Sequence, residues 1–480
     1  MVVYLENKEY FYETEKVIRL FLPFEKIHFN SGEDNGRVLR TNITKESCAA
    51  LLLIDGRTVS RQETITGGGC ELCLVTAVFR CFVEISGYKP SWGMLTGIRP
   101  ARLFNRIAAQ KGEEGAERVF SDRYFVDENK LSLLRETSAS EQDIIKKSKN
   151  NSVSLYVSVP FCPSRCSYCS FVSEATERSA DLMPEYVDRL CEEISATAEY
   201  VSELGLRLET VYMGGGTPTT LAPALIERVL GHICQSFDMK TVREFTVEAG
   251  RPDTVDADKL KAIKPFADRI CINPQSLSDD VLQACGRRHT AAQFYEAFSA
   301  ARRAGFNNIN CDIIAGLPLE TAESFCDTVK KISALSPEGV TVHALSLKRA
   351  ANFYKDAYYE FMEGKTAAGM VEGAYDLLTA AGYRPYYLYR QSKTIGNLEN
   401  VGYSKPGFLG IYNVYIMDET HTILGVGAGA VTKLRRPFKN EIERIFNFKF
   451  PYEYIRNFPE ILRRKQRIGE FYNADRVENK

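Results

Sequence analysis

Between Ser152 and Leu345 the chain repeats one pattern, a short apolar run followed by an amphipathic helix, and this repetition restricts the fold more than any other feature. The runs are Leu155 to Val159, Thr210 to Met213, Glu244 to Val247, Arg269 to Ile272, Asn308 to Ile314 and Val340 to Leu345. Helical segments lie between them near Leu182 to Leu204, Ala222 to Phe237, Ala257 to Ile263, Ala291 to Ala304 and Ala322 to Leu335. Strands joined by helical crossovers pair in parallel, so the pattern predicts an α/β fold whose sheet either opens into a doubly wound layer or curls into a barrel. The residues suited to chemistry fall just after strand ends. That favours the barrel, in which loops at the carboxyl face build the site.

The first of these loops carries Cys162-Pro-Ser-Arg-Cys166-Ser-Tyr-Cys169, a Cys-x3-Cys-x2-Cys spacing that lets one short segment present three thiolates to one centre. Soft thiolates select zinc, copper(I) or iron–sulfur clusters. A structural zinc site takes four protein ligands, and the next cysteine, Cys191, is too distant in sequence to share the loop. A four-iron cluster held by three cysteines keeps one iron open for a ligand, as a catalytic metal keeps a vacant position. The bland alternative is a buried helix stripe at i, i+4 and i+7. Pro160, Pro163 and the polar Ser164, Arg165 and Ser167 count against it.

At 480 residues the chain has room for two or three domains and a large core. A net charge of −1 gives no bulk attraction to nucleic acid or to a membrane surface, and no apolar run reaches the length of a membrane span. The thirteen cysteines are odd in number, and the Met1-Val-Val-Tyr-Leu-Glu-Asn-Lys8 start lacks the basic and uninterrupted apolar regions of a signal peptide. Reduced thiols and a cytoplasmic location are therefore expected.

Residues 1–150 read as a separate α+β domain: a strand over Met1 to Leu5, a helix over Glu13 to Leu22, an apolar run Ala49 to Ile54, a turn at Thr66-Gly-Gly-Gly69 and a buried helix from Cys70 to Ile85. Cys70-x2-Cys73, with Cys81, admits a metal or redox reading, but without a second pair at ligand spacing core packing is the better one. The loop Gly87 to Pro100 holds the only tryptophan, Trp92, whose role as ligand contact or loop core stays open. A charged helical stretch ends in Lys146-Lys-Ser-Lys-Asn-Asn151, a candidate linker. Residues 151–350 are then the barrel. Residues 351–480, aromatic and less periodic, with helices over Tyr354 to Glu363 and Ala367 to Ala381 and the run Tyr383 to Arg390, are a region expected to close over the barrel mouth.

Further strand ends carry Gly214-Gly-Gly-Thr217, Glu248, Gln275, Arg287 and Asp312. Each alone is more often structural. Together they supply close backbone approach, two acids, an amide and a guanidinium fork, groups suited to holding a polar, charged ligand.

The cysteine run resembles the cluster-binding signature of the radical S-adenosylmethionine (SAM) enzymes. The stretch from Tyr156 to about Lys433 resembles most closely the oxygen-independent coproporphyrinogen III oxidase family: Tyr156 lies six residues before the first cysteine, Arg287 twelve after Gln275, and Asp312-x3-Gly-Leu-Pro318 follows. The resemblance implies a partial six-stranded (β/α) barrel and a [4Fe–4S] cluster on Cys162, Cys166 and Cys169. It also implies a SAM shell of Tyr156, Tyr168, Gly215, Gly216, Thr217, Glu248, Gln275, Arg287 and Asp312, with Ala344 and Val431 as further contacts. Its family reaction turns two propionates of coproporphyrinogen III into vinyl groups, giving protoporphyrinogen IX. A low-potential donor such as flavodoxin or ferredoxin supplies electrons, and a monomer is the working expectation.

Founding members carry a fourth cysteine where this chain has Phe171, a residue shared with a sister branch of heme chaperones. A heme carrier without oxidase activity is therefore the alternative. Against it, the chaperone motif His-Asn-x2-Tyr-Trp is replaced by Tyr412-Asn-Val-Tyr-Ile-Met417, which lacks the axial histidine. The long N-terminal region with Leu95-Thr-Gly-Ile-Arg-Pro100, and Asn397-Leu-Glu-Asn-Val-Gly-Tyr-Ser-Lys-Pro406, instead resemble the coproporphyrinogen dehydrogenase (HemZ-type) branch. A substrate with four carboxylates needs cations, and Arg384 and Arg390, flanking Tyr386, Tyr387 and Tyr389, are the candidates.

Overall fold

A computed structural model describes residues 1–478 apart from 24, 35, 67–68, 172, 347–361, 392–393 and 437–440. The contacts divide the chain into two compact units: Met1–Arg135 with Tyr359–Ala368 and Arg390–Glu399, and Glu136–Tyr358 with Gly369–Tyr389 and Asn400–Lys480.

The first unit is built on a five-stranded sheet of order β2-β1-β3-β4-β5, from β1 (Val2–Tyr4), β2 (His28–Phe29), β3 (Arg37–Ile43), β4 (Ser47–Ile54) and β5 (Arg57–Thr64). β1 is parallel to both of its neighbours, and β3, β4 and β5 form an antiparallel meander. Asp55 and Gly56, both at positive φ, make the two-residue turn between β4 and β5, the twist-matched geometry that an Asp-Gly pair favours. Helices Phe11–Phe21 and Gly69–Ser86 bury Ile18, Phe21, Leu74, Val78 and Phe82 against Leu39, Ala50 and Leu52 of the sheet. Cys73 and Cys81 are buried in that core, and the sulfur of Cys70 lies 3.6 Å from that of Cys48. The expected turn at Gly67 and Gly68 lies outside the described residues.

Trp92 is buried in the same unit, and its indole N–H donates to Glu399 at 2.6 Å. Lys130 pairs with the other oxygen of Glu399 at 2.7 Å. Arg390 is 3% exposed, lies 5.3 Å from the Trp92 ring centroid and donates to the carbonyls of Leu95 and Asn397.

The second unit contains the expected partial barrel. Its strands β6 (Ser152–Val159), β9 (Arg207–Gly215), β10 (Glu244–Glu248), β11 (Arg269–Cys271), β12 (Ile309–Ala315) and β13 (Gly339–Ala344) are parallel and adjacent in chain order. Between β6 and β9, the two-residue strands β7 (Phe161–Cys162) and β8 (Glu174–Ala175) pair with each other. Crossover helices run over Met183–Glu203, Pro223–Ser236, Ala257–Ile263, Ala291–Arg303 and Ala322–Ala334, the last two opened by Thr290 and Thr321 capping boxes. β14 (Arg384–Arg390) and β15 (Glu399–Ser404) extend the sheet beyond β13, with β15 antiparallel to it. β16 (Thr422–Val426) joins β6 in parallel and continues into β17 (Val431–Arg435) and β18 (Ile442–Phe446). The helix expected over Ala367 to Ala381 spans Met362–Ala380, and most of the one expected over Tyr354 to Glu363 lies outside the described residues.

The period-2 alternation of strands explains why this barrel hosts chemistry. Outward positions are apolar (Leu155, Val157, Val211, Met213, Phe245, Val247, Ile270, Ile313, Val342) and pack under the helices. The alternate, inward positions are polar or aromatic: Ser154, Tyr156, Thr210, Tyr212, Glu244, Thr246, Glu248, Arg269, Asn310, Asp312 and Thr341. Lower in the lumen, fully buried Arg269 donates to Asn310 at 2.9 Å and to the Tyr386 hydroxyl at 3.4 Å. The helix Ile411–Asp418 enters from below, with the Tyr412 amide donating to Glu244 at 3.4 Å. Tyr412 stacks on Tyr212 at 4.7 Å, and Tyr156 lies 6.4 Å from each.

A candidate cluster and cofactor site at the carboxyl end of the barrel

Pro160 ends β6, and the chain enters the cysteine loop through β7, whose pairing with β8 fixes both ends of the loop. Within it the Cys169 amide donates to the Cys166 carbonyl at 3.1 Å, a tight turn that holds the last two cysteines together. The neighbouring turn at 285–286 ties the loop down: Ser167 N–H donates to Cys285 O at 3.0 Å, and Ser164 Oγ to Gly286 O at 3.1 Å. Cys166 is buried, while Cys162 and Cys169 are half-buried. Burial and the two other thiols push the Cys169 thiol up to about 11.

The glycines after β9 lie against this loop. Gly216 N–H donates to Val159 O at 2.8 Å and Thr217 N–H to Phe161 O at 2.7 Å, while the Thr217 hydroxyl is 3.6 Å from the Cys162 sulfur. A Cβ on Gly216 would stand 2.5 Å from the Phe161 carbonyl oxygen, so the backbones approach as only glycine permits. Gly215 has φ +102, and a Cβ there would meet Ser158 Oγ at 2.8 Å.

Glu248 ends β10 inside the lumen. It accepts from the Tyr212 hydroxyl and, at 3.0 Å, from the Asn273 amide. Burial, reinforced by the nearby Asp312 carboxylate, pushes its pKa up to about 7. Asp312 accepts from Asn310 at 2.7 Å and lies 3.6 Å from His343 Nε2. Burial opposes its ionisation, but His343, Thr341 and Asn310 together hold it below the ordinary carboxylate value.

Gln275 sits at φ +68, its N–H donating to Asp312 O and its carbonyl accepting from Ile314 N–H, and its buried side-chain oxygen has no partner. Arg287 is 7% exposed and reaches back to the cysteine loop. It donates to the Tyr168 hydroxyl at 3.1 Å, His289 Nδ1 at 3.3 Å, Gly250 O at 3.0 Å and Asn273 O at 2.8 Å, and its Nη1 lies 3.9 Å from the Cys166 sulfur. Ala344 ends β13, its N–H donating to Asn400 at 3.1 Å. Val431 opens β17, just past the Gly427–Ala430 turn that Ser158 of β6 holds through Ala428 O at 2.7 Å.

The positions expected for the cluster and the SAM shell thus lie toward one end of the barrel, on its strands and β17 and on the loops after them. Sequence reasoning missed Tyr212, Asn273, His289, His343 and Arg251, which bond to the expected residues. For Tyr212 and His343 the available signal was the inward register of their strands. The two arginines proposed for the substrate carboxylates are placed elsewhere. Arg390 is committed inside the first unit, and Arg384 follows Tyr383, whose hydroxyl donates to Pro337 O ahead of β13, at the opposite end of the barrel strands.

Among the described residues no three His, Cys, Asp or Glu side chains converge on a point where a single metal ion would bind. A four-iron cluster makes a different demand, one thiolate on each of three irons, and a three-cysteine loop ringed by cationic and hydroxyl donors suits it. The unpartnered Gln275 oxygen, the glycine cradle and the Glu248 and Asp312 carboxyls suit a ligand rich in donors beside it.

A family model for the radical SAM superfamily matches residues 156–332. The oxygen-independent coproporphyrinogen-III oxidase-like protein HemZ of Bacillus subtilis is 37% identical, covering 78% of this chain and 76% of its own. The chain belongs to this family of radical SAM proteins. The heme chaperone HemW of Haemophilus influenzae is also similar, 30% identical over 63% of this chain and 76% of its own length. Among solved structures, coproporphyrinogen III oxidase (HemN) from Escherichia coli shares the fold at a TM-score of 0.50 and 21% identity, over 68% of this chain and 73% of that one. The radical SAM family uses a [4Fe–4S] cluster and SAM as its cofactors. No helix among the described residues is long and apolar enough to cross a membrane.

Proposed function

We propose that the protein is an oxygen-independent coproporphyrinogen III oxidase, converting two propionates to vinyl groups and yielding protoporphyrinogen IX. Cys162, Cys166 and Cys169 would hold a [4Fe–4S] cluster and the residues around them SAM, which together would supply the radical chemistry that takes a hydrogen atom from a propionate. Loss of carbon dioxide, with one electron passing to an acceptor, then completes each vinyl group. The chain's own residues bind and orient. Tyr156, Tyr168, Gly215, Gly216, Thr217, Glu248, Gln275, Arg287 and Asp312 would hold SAM, with Ala344 and Val431 as further contacts, and the buried lumen would keep water from the reacting groups. A low-potential cytoplasmic donor such as flavodoxin or ferredoxin reduces the cluster.

One observation carries this reading over that of a heme carrier. Where the carrier branch has its His-Asn-x2-Tyr-Trp motif, this chain has the helix Ile411–Asp418, and its Tyr412 and Tyr415 are buried. Tyr412 belongs to the lumen stack and Tyr415 donates to Glu209 at 2.8 Å, so neither side chain is available to a heme iron. The test is anaerobic incubation of reconstituted protein with SAM, dithionite and coproporphyrinogen III, followed by product masses. Stepwise loss of two carboxyl groups is expected. Tight stoichiometric heme binding with no vinyl product would overturn the reading in favour of the carrier.

A further inference from the structure

Arg251 follows β10 and is 3% exposed. Its Nη1 donates to the Cys166 sulfur at 3.5 Å and to the Ser164 carbonyl at 3.2 Å, and its Nη2 to the Ser164 hydroxyl at 3.0 Å. On its other side the guanidinium is anchored by Asp253, at 3.2 Å from Nε and 3.4 Å from Nη2. Its own carbonyl is fixed by Thr254, which donates from N at 2.9 Å and from Oγ1 at 2.7 Å. With Arg287 at 3.9 Å, Cys166 therefore lies against two buried guanidinium groups, whereas the sulfur of Cys162 meets a threonine hydroxyl.

We propose that Arg251 is a positioning residue of the cluster site: it holds the cysteine loop in register with the barrel and, by donating a hydrogen bond to the Cys166 sulfur, raises the reduction potential of the cluster bound there. A ligating thiolate becomes more negative when its cluster gains an electron, so a buried cation donating to that sulfur stabilises the reduced state more than the oxidised one. The planar fork matters as much as the charge, because one guanidinium serves Ser164, Cys166 and Asp253 together, which an ammonium on a flexible stem does not. The role rests on the family's cluster at these three cysteines and is independent of the substrate that follows.

The test uses the full chain, reconstituted anaerobically, as wild type, Arg251→Gln, Arg251→Lys and Asp253→Asn. Iron per chain, the electron paramagnetic resonance spectrum of the dithionite-reduced cluster and its midpoint potential are measured, with 5′-deoxyadenosine formation as a separate readout. Arg251→Gln is expected to keep its iron, to show an altered spectrum and a more negative midpoint, and to cleave SAM about tenfold more slowly. Arg251→Lys should fall between it and the wild type. Wild-type spectrum and potential in Arg251→Gln with full iron would overturn the proposal. If Arg251→Gln fails to fold or to hold iron, Asp253→Asn decides, since it keeps the guanidinium and frees it from its anchor: a negative shift supports the role and an unchanged midpoint overturns it. Wild-type protein that takes up no cluster would overturn the cluster assignment itself, and this role with it.

Discussion

Asn273 donates its side-chain amide to Glu248 at 3.0 Å while its oxygen accepts from the Asp312 N–H at 3.3 Å, so one residue bridges the two acids at the carboxyl end of the lumen. Two carboxyls buried this close resist ionising together, and the burden falls on Glu248, pushed up to about 7.

A pH dependence follows from that shift. Between the unfolded carboxyl value near 4.5 and the folded one near 7, the native state binds the proton that the unfolded chain releases. Stability from this group is therefore present at low pH and lost as pH rises through that window, by about 3 kcal/mol in all. Urea melts of the apoprotein at pH 5, 6, 7 and 8 should show the wild type losing more stability than Glu248→Gln across this range. Parallel curves would refute the assignment.

Replacing Cys166 by alanine should abolish iron retention and SAM cleavage while leaving the fold intact, because the loop is secured independently through β7, β8 and the 285–286 turn. Iron analysis together with far-ultraviolet circular dichroism checks both halves of the expectation.

Gly216→Ala should damage the site through the backbone. The added methyl meets Phe161 O at 2.5 Å and Val159 O at 2.8 Å, neither of which is a side chain able to swing away. A loss of about 1–3 kcal/mol is expected from such overpacking, together with weakened cluster retention. Denaturant midpoints and iron counts measure the two effects.

In the first unit, Lys130→Met should cost about 3–5 kcal/mol, since it leaves Glu399 charged and buried with Trp92 as its remaining side-chain donor. The double change Lys130→Met with Glu399→Gln should cost less than the sum of the two single changes. Strict additivity in urea melts would contradict the pairing.

The barrel was legible because its strands keep a strict register. In Leu155-Tyr156-Val157-Ser158, as in Phe245-Thr246-Val247-Glu248, one face is apolar and the other polar, and the ends of such strands are where chemistry gathers. β5 was not legible, since it lies at the sheet edge and Val59 is the sole apolar residue among its polar ones. Nor were β16 to β18, where Gly425 within β16 lets the β17 backbone approach closely and Gly427, in the turn after it, lets β6 do the same. Arg390 was misjudged from its tyrosine neighbours, because sequence adjacency does not reveal that the chain leaves the barrel at the end of β14. Arg251 carried no local signal at all, since the sulfur it meets is 85 positions away.

The pairing of Lys130 and Trp92 with Glu399 has a consequence for biosynthesis. An N-terminal fragment cut at residue 150 would carry a lysine and an indole with no acid to meet, so Glu399 must be synthesised before Trp92 and Lys130 can take up their buried pairing.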